Sequence, residues 1–180
     1  MELRPKLELF LKVCEALSVQ GLPTVPNLGQ FVNAEGSLRK ADKLVKGVIA
    51  GDSRNAVALW AEAEIEQDQM ILADLQHHEG NARSYAQQCA DTLGRLMEVK
   101  RATGKKIENE PVLYFNVGQS YMNRHESDEA IRYARKGVEL SRLPGVRPQY
   151  LAVGLSLLAT ALRQAGDVEG ALAPIQPNWA

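Results

Sequence analysis

Cysteine and aromatic residues are scarce in this chain of 180 residues. It contains two cysteines, Cys14 and Cys89, and only 6% of its residues are Phe, Trp or Tyr. Two widely separated cysteines do not imply a disulfide framework, so we expect both to be buried thiols. The chain also lacks Asn-Gly and Asp-Gly hairpin turns and alternating apolar runs, which are the usual signals of β-strands. These absences predict an all-α protein.

An excess of one charge and long apolar runs are lacking as well. The formal net charge is −1, which excludes a globally basic nucleic-acid binder. No uncharged apolar stretch approaches the roughly 18 residues that a membrane-spanning helix needs. We therefore expect a soluble, cytoplasmic protein that makes no membrane contact.

Signals of catalysis are missing too. The chain has no phosphate-cradling glycine loop, nucleophile elbow or paired-cysteine motif. Two spacings resemble metal motifs, Asp74 with His77 and His125 with Glu129, but a metal site in a helical bundle needs further carboxylates from other helices. We therefore predict no enzymatic activity, no cofactor and no metal ion.

An internal repeat is the main positive signal. Four positions recur after 41 residues: Tyr114, Gly118, Tyr121 and Ala130 return as Leu155, Ala159, Leu162 and Ala171. The first three members of each set lie on one helix face, and the small middle residue lets a second helix approach closely. The fourth member, alanine both times, follows a tight turn and supplies the contact from that second helix. Each unit is therefore predicted to be a helical hairpin.

This pattern resembles the tetratricopeptide repeat, best over residues 111–176. Further matching positions are Val117, Ile131, Gly137, Leu140, Leu158, Gly166, Asp167 and Leu172. The family period is about 34 residues, and the link Ser141–Gln149 lengthens it here. Pro174 also departs from the pattern and should shorten the last helix. The resemblance implies an all-α, α-α superhelical fold with an irregular helical N-terminal part, acting as a protein-binding or peptide-binding module of a bacterial cytoplasmic signalling protein.

The resemblance also implies a concave groove lined by the first helix of each hairpin. By that correspondence the groove residues are Phe115, Asn116, Gln119, Met122, Asn123, Ser156, Leu157, Thr160, Arg163 and Gln164. Amide side chains can satisfy the backbone groups of a bound segment, while Phe115 and Met122 would be apolar anchors. The alternative is that Phe115 and Met122 pack against a neighbouring helix of the same chain.

Residues 1–50 allow a second interpretation. Helices over Leu7–Gln20, Val25–Val32 and Ser37–Ala50, with a turn at Asn33–Gly36, have the outline of a helix-turn-helix. The third helix carries a basic stripe at helical spacing, formed by Arg39, Lys40, Lys43 and Lys46. Such a stripe suits phosphate contacts, and it is also the ordinary solvated face of an amphipathic helix. The alternative function is a DNA-binding transcriptional regulator whose repeats mediate homodimerisation or sensing.

Between these parts the sequence predicts two long helices, Ser53–Glu79 and Asn81–Thr103. The first ends with His77 and His78, where histidine meets the last carbonyls. Its acidic residues alternate around the helix and are predicted to form a solvated face; they are Glu62, Glu64, Glu66 and Asp68. The predicted division is an N-terminal helical segment, 1–50, and a repeat region, 51–180, joined as one continuous domain.

Overall fold

The computed structural model describes residues 31–172, and within this range it is all-helical without a strand. The all-α prediction is confirmed for this part of the chain. The predictions for Leu7–Gln20, Cys14 and Pro174 lie outside the described residues. Seven helices are described: α1 (Phe31–Gly51), α2 (Ala56–Leu75), α3 (Glu79–Thr103), α4 (Glu110–Asn123), α5 (Ser127–Ser141), α6 (Pro148–Gln164) and α7 (Val168–Leu172).

The chain forms two compact units, and the division falls after Gly104. The first unit contains α1 to α3, and the second contains α4 to α7. Gly104 ends α3 in the left-handed conformation, with φ of 65°, which glycine adopts without steric cost. The sequence-based division at residue 50 stays a prediction, because residues 1–30 are not described.

The turn predicted at Asn33–Gly36 is wrong, because these residues belong to helix α1. The helix runs without interruption from Phe31 to Gly51. Its buried stripe, three and four residues apart, already begins at Ala34 and continues through Leu38, Ala41, Val45 and Ile49. This stripe packs on α2. Burial of the stripe outweighs the turn preference of the residues near Gly36, so no turn interrupts the helix at Asn33–Gly36.

Helices α2 and α3 form a hairpin. Asn55 caps α2, since its Oδ1 accepts a hydrogen bond of 3.0 Å from the Ala58 N–H. The helix predicted over Ser53–Glu79 ends earlier, at Leu75, and α3 begins at Glu79 rather than Asn81. An apolar stripe of α3, with members three and four residues apart, is buried at Cys89, Leu93, Leu96 and Val99.

The acidic run of α2 is the largest departure from the sequence prediction. Glu62, Glu66 and Asp68 are each no more than 5% exposed, so they do not form a solvated face. Helix α2 packs against both α1 and α3. Two neighbours cover more of its circumference than the apolar residues alone can fill, so carboxylates are buried as well.

Helices α4 to α7 form two hairpins joined by residues 142–147. Pro111 lies in the first turn of α4, where its missing N–H costs nothing. A Cβ built on Gly118 would lie 3.3 Å from the carbonyl oxygen of Ala130 and 3.5 Å from the amide nitrogen of Ala134. The predicted close approach of α5 at Gly118 is therefore confirmed. Ala159 is buried at the matching position of the second hairpin.

The same turn closes all three hairpins. Each has three residues between its helices, and the middle one adopts a positive φ: 58° at His77, 60° at His125 and 87° at Gly166. In each turn the third residue donates its N–H to a carbonyl five residues back, as in a Schellman motif. These bonds join His78 to Ala73 at 2.8 Å, Glu126 to Tyr121 at 3.0 Å and Asp167 to Leu162 at 2.9 Å. The hairpin α2–α3 thus contains a third copy of this turn.

Candidate partner-binding surface

Phe115, which was predicted to line the groove, is buried. Its side chain is 4% exposed and belongs to a core cluster that includes Leu157. Cβ atoms built on Gly137 of α5 and Gly154 of α6 would each lie 2.6 Å from a ring carbon, Cδ1 and Cε1 respectively. The two glycines therefore form a slot for the ring. Phe115 and Leu157 are corrected from groove residues to core residues, as the alternative interpretation of Phe115 proposed.

Five of the other predicted groove residues lie close together. Met122 and Asn123 from the end of α4, together with Thr160, Arg163 and Gln164 from α6, line one open hollow of about 550 Å³. We call this surface the hairpin hollow. His125, from the turn after α4, completes its lining. The sequence did not predict His125 as a groove residue, although it lies two residues after the predicted groove residue Asn123.

Hydrogen bonds fix the geometry of the hairpin hollow. The Nε2 amide of Gln164 donates to the Met122 carbonyl oxygen at 3.3 Å and lies 2.7 Å from Nδ1 of His125. Gln119 donates from Nε2 to Oδ1 of Asn123 at 2.8 Å. These hydrogen bonds therefore join the end of α6 to the turn between α4 and α5. The hollow has amide, imidazole, guanidinium and thioether groups in one place, which suits recognition of a polypeptide.

Three predicted residues lie beside the hairpin hollow rather than in it. Gln119 is exposed, Asn116 is half-buried, and Ser156 lines a second depression, which shares Thr160 and Arg163 with the hairpin hollow. This second depression, which we call the terminal groove, has a volume of about 610 Å³. Its described lining is Ala152, Leu155, Ser156, Ala159, Thr160, Arg163, Val168, Ala171 and Leu172.

The predicted basic stripe lies on the surface of α1. Arg39, Lys40, Lys43 and Lys46 are all exposed. Lys46 forms an ion pair of 2.8 Å with Asp42, one turn earlier on the same helix. This pair reduces the positive charge of the stripe at its C-terminal end. The side chains are placed together as predicted, on a longer helix than predicted.

A buried carboxylate pair on α2 was missed by the sequence analysis. The pKa of Glu66 is raised to about 8, mainly by burial and also by the charge of Glu62, while the hydrogen bond with Thr92 acts in the opposite direction. Burial also raises the pKa of Glu62, against the opposing charge of Arg95, whose Nη1 lies 3.5 Å from Oε2 of Glu62. Within residues 31–172 no group of three or more Asp, Glu, His or Cys side chains is arranged to hold a metal ion.

Comparison with known proteins gives no family assignment. No protein-family model matches the chain, and a search of curated proteins finds no match either. Among the helices described, none is both long and apolar enough to span a bilayer.

Proposed function

We propose that this chain is a helical-repeat module of tetratricopeptide type that binds a protein or peptide partner, and that it has no catalytic activity of its own. The observation that carries the proposal is the hairpin hollow, in which the first helices of two consecutive hairpins contribute to one open surface. In line with the resemblance of its sequence, we place it in a bacterial cytoplasmic signalling protein.

Repetition of one hairpin geometry supports the architectural part of the proposal. The three turns share the same positive φ and the same long-range backbone hydrogen bond. The alanine that follows each turn is buried in every copy, at Ala82, Ala130 and Ala171. A unit that is repeated in this way buries its apolar face against its neighbours and leaves other surfaces for binding.

The chemistry of the hairpin hollow supports a polypeptide as the ligand. The amides of Asn123 and Gln164 both donate and accept hydrogen bonds, which matches an unpaired peptide backbone. Met122 is half-buried and offers a flexible apolar contact. Arg163 adds a positive charge, so an acidic side chain or a carboxylate is the expected polar group of the partner.

Paired substitutions test this proposal. Asn123→Ala combined with Gln164→Ala should reduce partner capture from a lysate of the source organism by roughly tenfold, since hot-spot contacts dominate affinity. The matched control combines Arg135→Ala with Glu139→Ala, both exposed on α5. Circular dichroism should show unchanged helicity for both variants. Partners captured equally by both variants would refute the assignment of the hollow.

A second candidate function is duplex DNA binding through α1. It is favoured by the exposure of Arg39, Lys40 and Lys43 on one continuous helix. Replacing these three residues by alanine should then abolish a salt-dependent association with duplex DNA. Absence of any duplex binding by the unaltered chain at low salt would eliminate this candidate.

A further inference from the structure

We call α4–α5 the first hairpin and α6–α7 the second hairpin. The terminal groove lies on the second hairpin, and the equivalent surface of the first hairpin is covered by another helix. A shift of 41 residues converts Phe115, Gly118, Met122 and Ile131 into Ser156, Ala159, Arg163 and Leu172. All four residues of the second set line the terminal groove. The two hairpins therefore present the same face, at equivalent positions.

In the first hairpin this face is covered by helix α6. A Cβ built on Gly118 would lie 3.4 Å from Cδ2 of Leu157, and the ring of Phe115 fills the slot beside Gly154. Met122 and Ile131 pack against the same cluster. The occupant of the face is thus an amphipathic helix that lies along the hairpin.

Among residues 31–172, no helix covers the equivalent face of the second hairpin. Val168 and Leu172 are 60% and 57% exposed, and they rim the groove together with Leu155. Exposed apolar side chains that are gathered in one depression mark an interaction surface, whereas isolated ones do not.

Two differences between the faces define the helix that would fit. Ser156 stands where the first hairpin has Phe115, and its side chain is much smaller than the phenyl ring. An incoming helix can then carry a large apolar residue at the position where α6 has Gly154. Arg163 stands where the first hairpin has Met122, and it is the charged member of the described lining. A carboxylate on the incoming helix would pair with it.

We propose that the terminal groove binds an amphipathic helix of a partner protein, seated as α6 is seated on the first hairpin, with a large apolar side chain over Ser156 and an acidic residue at Arg163. This proposal deepens the proposed function and rests on it only for the protein-binding role. Arg163 lines both surfaces, whereas Val168 and Leu172 line only the terminal groove and therefore distinguish it from the hairpin hollow.

The probe is a fluorescein-labelled peptide with the sequence of α6, residues 148–164, in which Gly154→Phe and Gln164→Glu are introduced. Fluorescence anisotropy with the full chain should show saturable binding. A peptide that keeps glycine at this position should bind about tenfold more weakly, because it lacks the apolar anchor. Equal affinity of the two peptides would contradict the proposed fit at Ser156.

Three variants of the protein, one of them a control, locate the peptide. Val168→Glu combined with Leu172→Glu should abolish binding, whereas Val57→Glu, at a valine of similar exposure on α2, should not affect it. Arg163→Glu should weaken binding, and a peptide with lysine in place of the introduced glutamate should restore it. Circular dichroism verifies that each variant keeps its helicity.

Three outcomes would overturn the proposal. The first is a lack of saturable binding by the anchored peptide. The second is binding that survives Val168→Glu with Leu172→Glu but is lost with Asn123→Ala and Gln164→Ala, which would leave the hairpin hollow as the site. The third is self-association of the unaltered chain that these two glutamates abolish, since the groove would then belong to a second copy. If only the assignment of the hairpin hollow were wrong, the peptide should still bind at the terminal groove.

Discussion

Replacement of Gly154 by alanine should destabilise the second unit, because α6 approaches the Phe115 ring closely at this position. The added Cβ would lie 2.6 Å from Cε1 of the ring and 2.9 Å from Cγ2 of Val138. The ring cannot retreat easily, since Gly137 of α5 abuts it as well. Overpacking of this kind costs about 1 to 3 kcal/mol.

Helix propensity acts in the opposite direction and must be subtracted. Alanine is favoured over glycine by about 1 kcal/mol in a helix interior. Because both Cβ contacts fall well below van der Waals separation, we place the overpacking cost near the upper end of its range. The expected net loss is then about 2 kcal/mol in the free energy of unfolding.

Two matched controls isolate the packing contribution. Gly47 in α1 and Gly94 in α3 have no atom within 4 Å of an added Cβ. Gly47→Ala and Gly94→Ala should each stabilise the protein by about 0.5 to 1 kcal/mol. Urea denaturation followed by circular dichroism at 222 nm measures all three variants. If Gly154→Ala stabilised the protein as much as the controls do, the described packing around Phe115 would be wrong.

A double-mutant cycle tests the contact itself. Phe115→Leu shortens the side chain, so Gly154→Ala should cost less in that background than in the unaltered chain. We expect a coupling of about 1 to 2 kcal/mol. Additive effects would show that the two residues do not interact.

Two further predictions concern other parts of the core. The folded state raises the pKa of Glu66 from a usual value of 4.5 to about 8, so the contribution of this group to stability should be largest below pH 4.5 and should decline by roughly 4 kcal/mol as the pH rises to 8. Glu66→Gln should remove most of this decline in urea titrations across that range, and an unchanged pH profile would contradict the burial of the carboxyl group. Gly118→Leu should lower stability by about 1 to 3 kcal/mol, since the contact with Ala130 leaves no room for a side chain. An unchanged melting temperature would contradict that contact.

The repeat could be predicted from the sequence because its signal is local and periodic. Large residues, a small contact residue and a turn recur at constant offsets, and these features determine a hairpin without knowledge of its neighbours. The copy at α2–α3 escaped this reasoning because the position equivalent to Gly118, 12 residues before the buried alanine Ala82, is Met70. Its turn geometry, with a positive φ at His77, leaves little trace in the sequence.

Tertiary packing explains the predictions that failed. Phe115 could not be distinguished from a groove residue without knowing that Gly137 and Gly154 face it from two other helices. Glu62 and Glu66 alternate as solvated residues do, and only the packing of α1 and α3 on either side of α2 buries them. Five of the predicted groove residues do lie together in the hairpin hollow, because their positions follow from the register of the repeat, and their role in binding stays a prediction.

Photo-crosslinking from the hairpin hollow is the most direct test of the central claim, that consecutive hairpins jointly present a binding surface. A benzophenone amino acid is introduced at Asn123 in one version of the full chain and at Arg135 in another, both of which are exposed. We expect position 123 to crosslink to the protein partner that the unaltered chain captures, and position 135 to give no crosslink. Equal crosslinking from both positions, or from position 135 alone, would contradict the central claim.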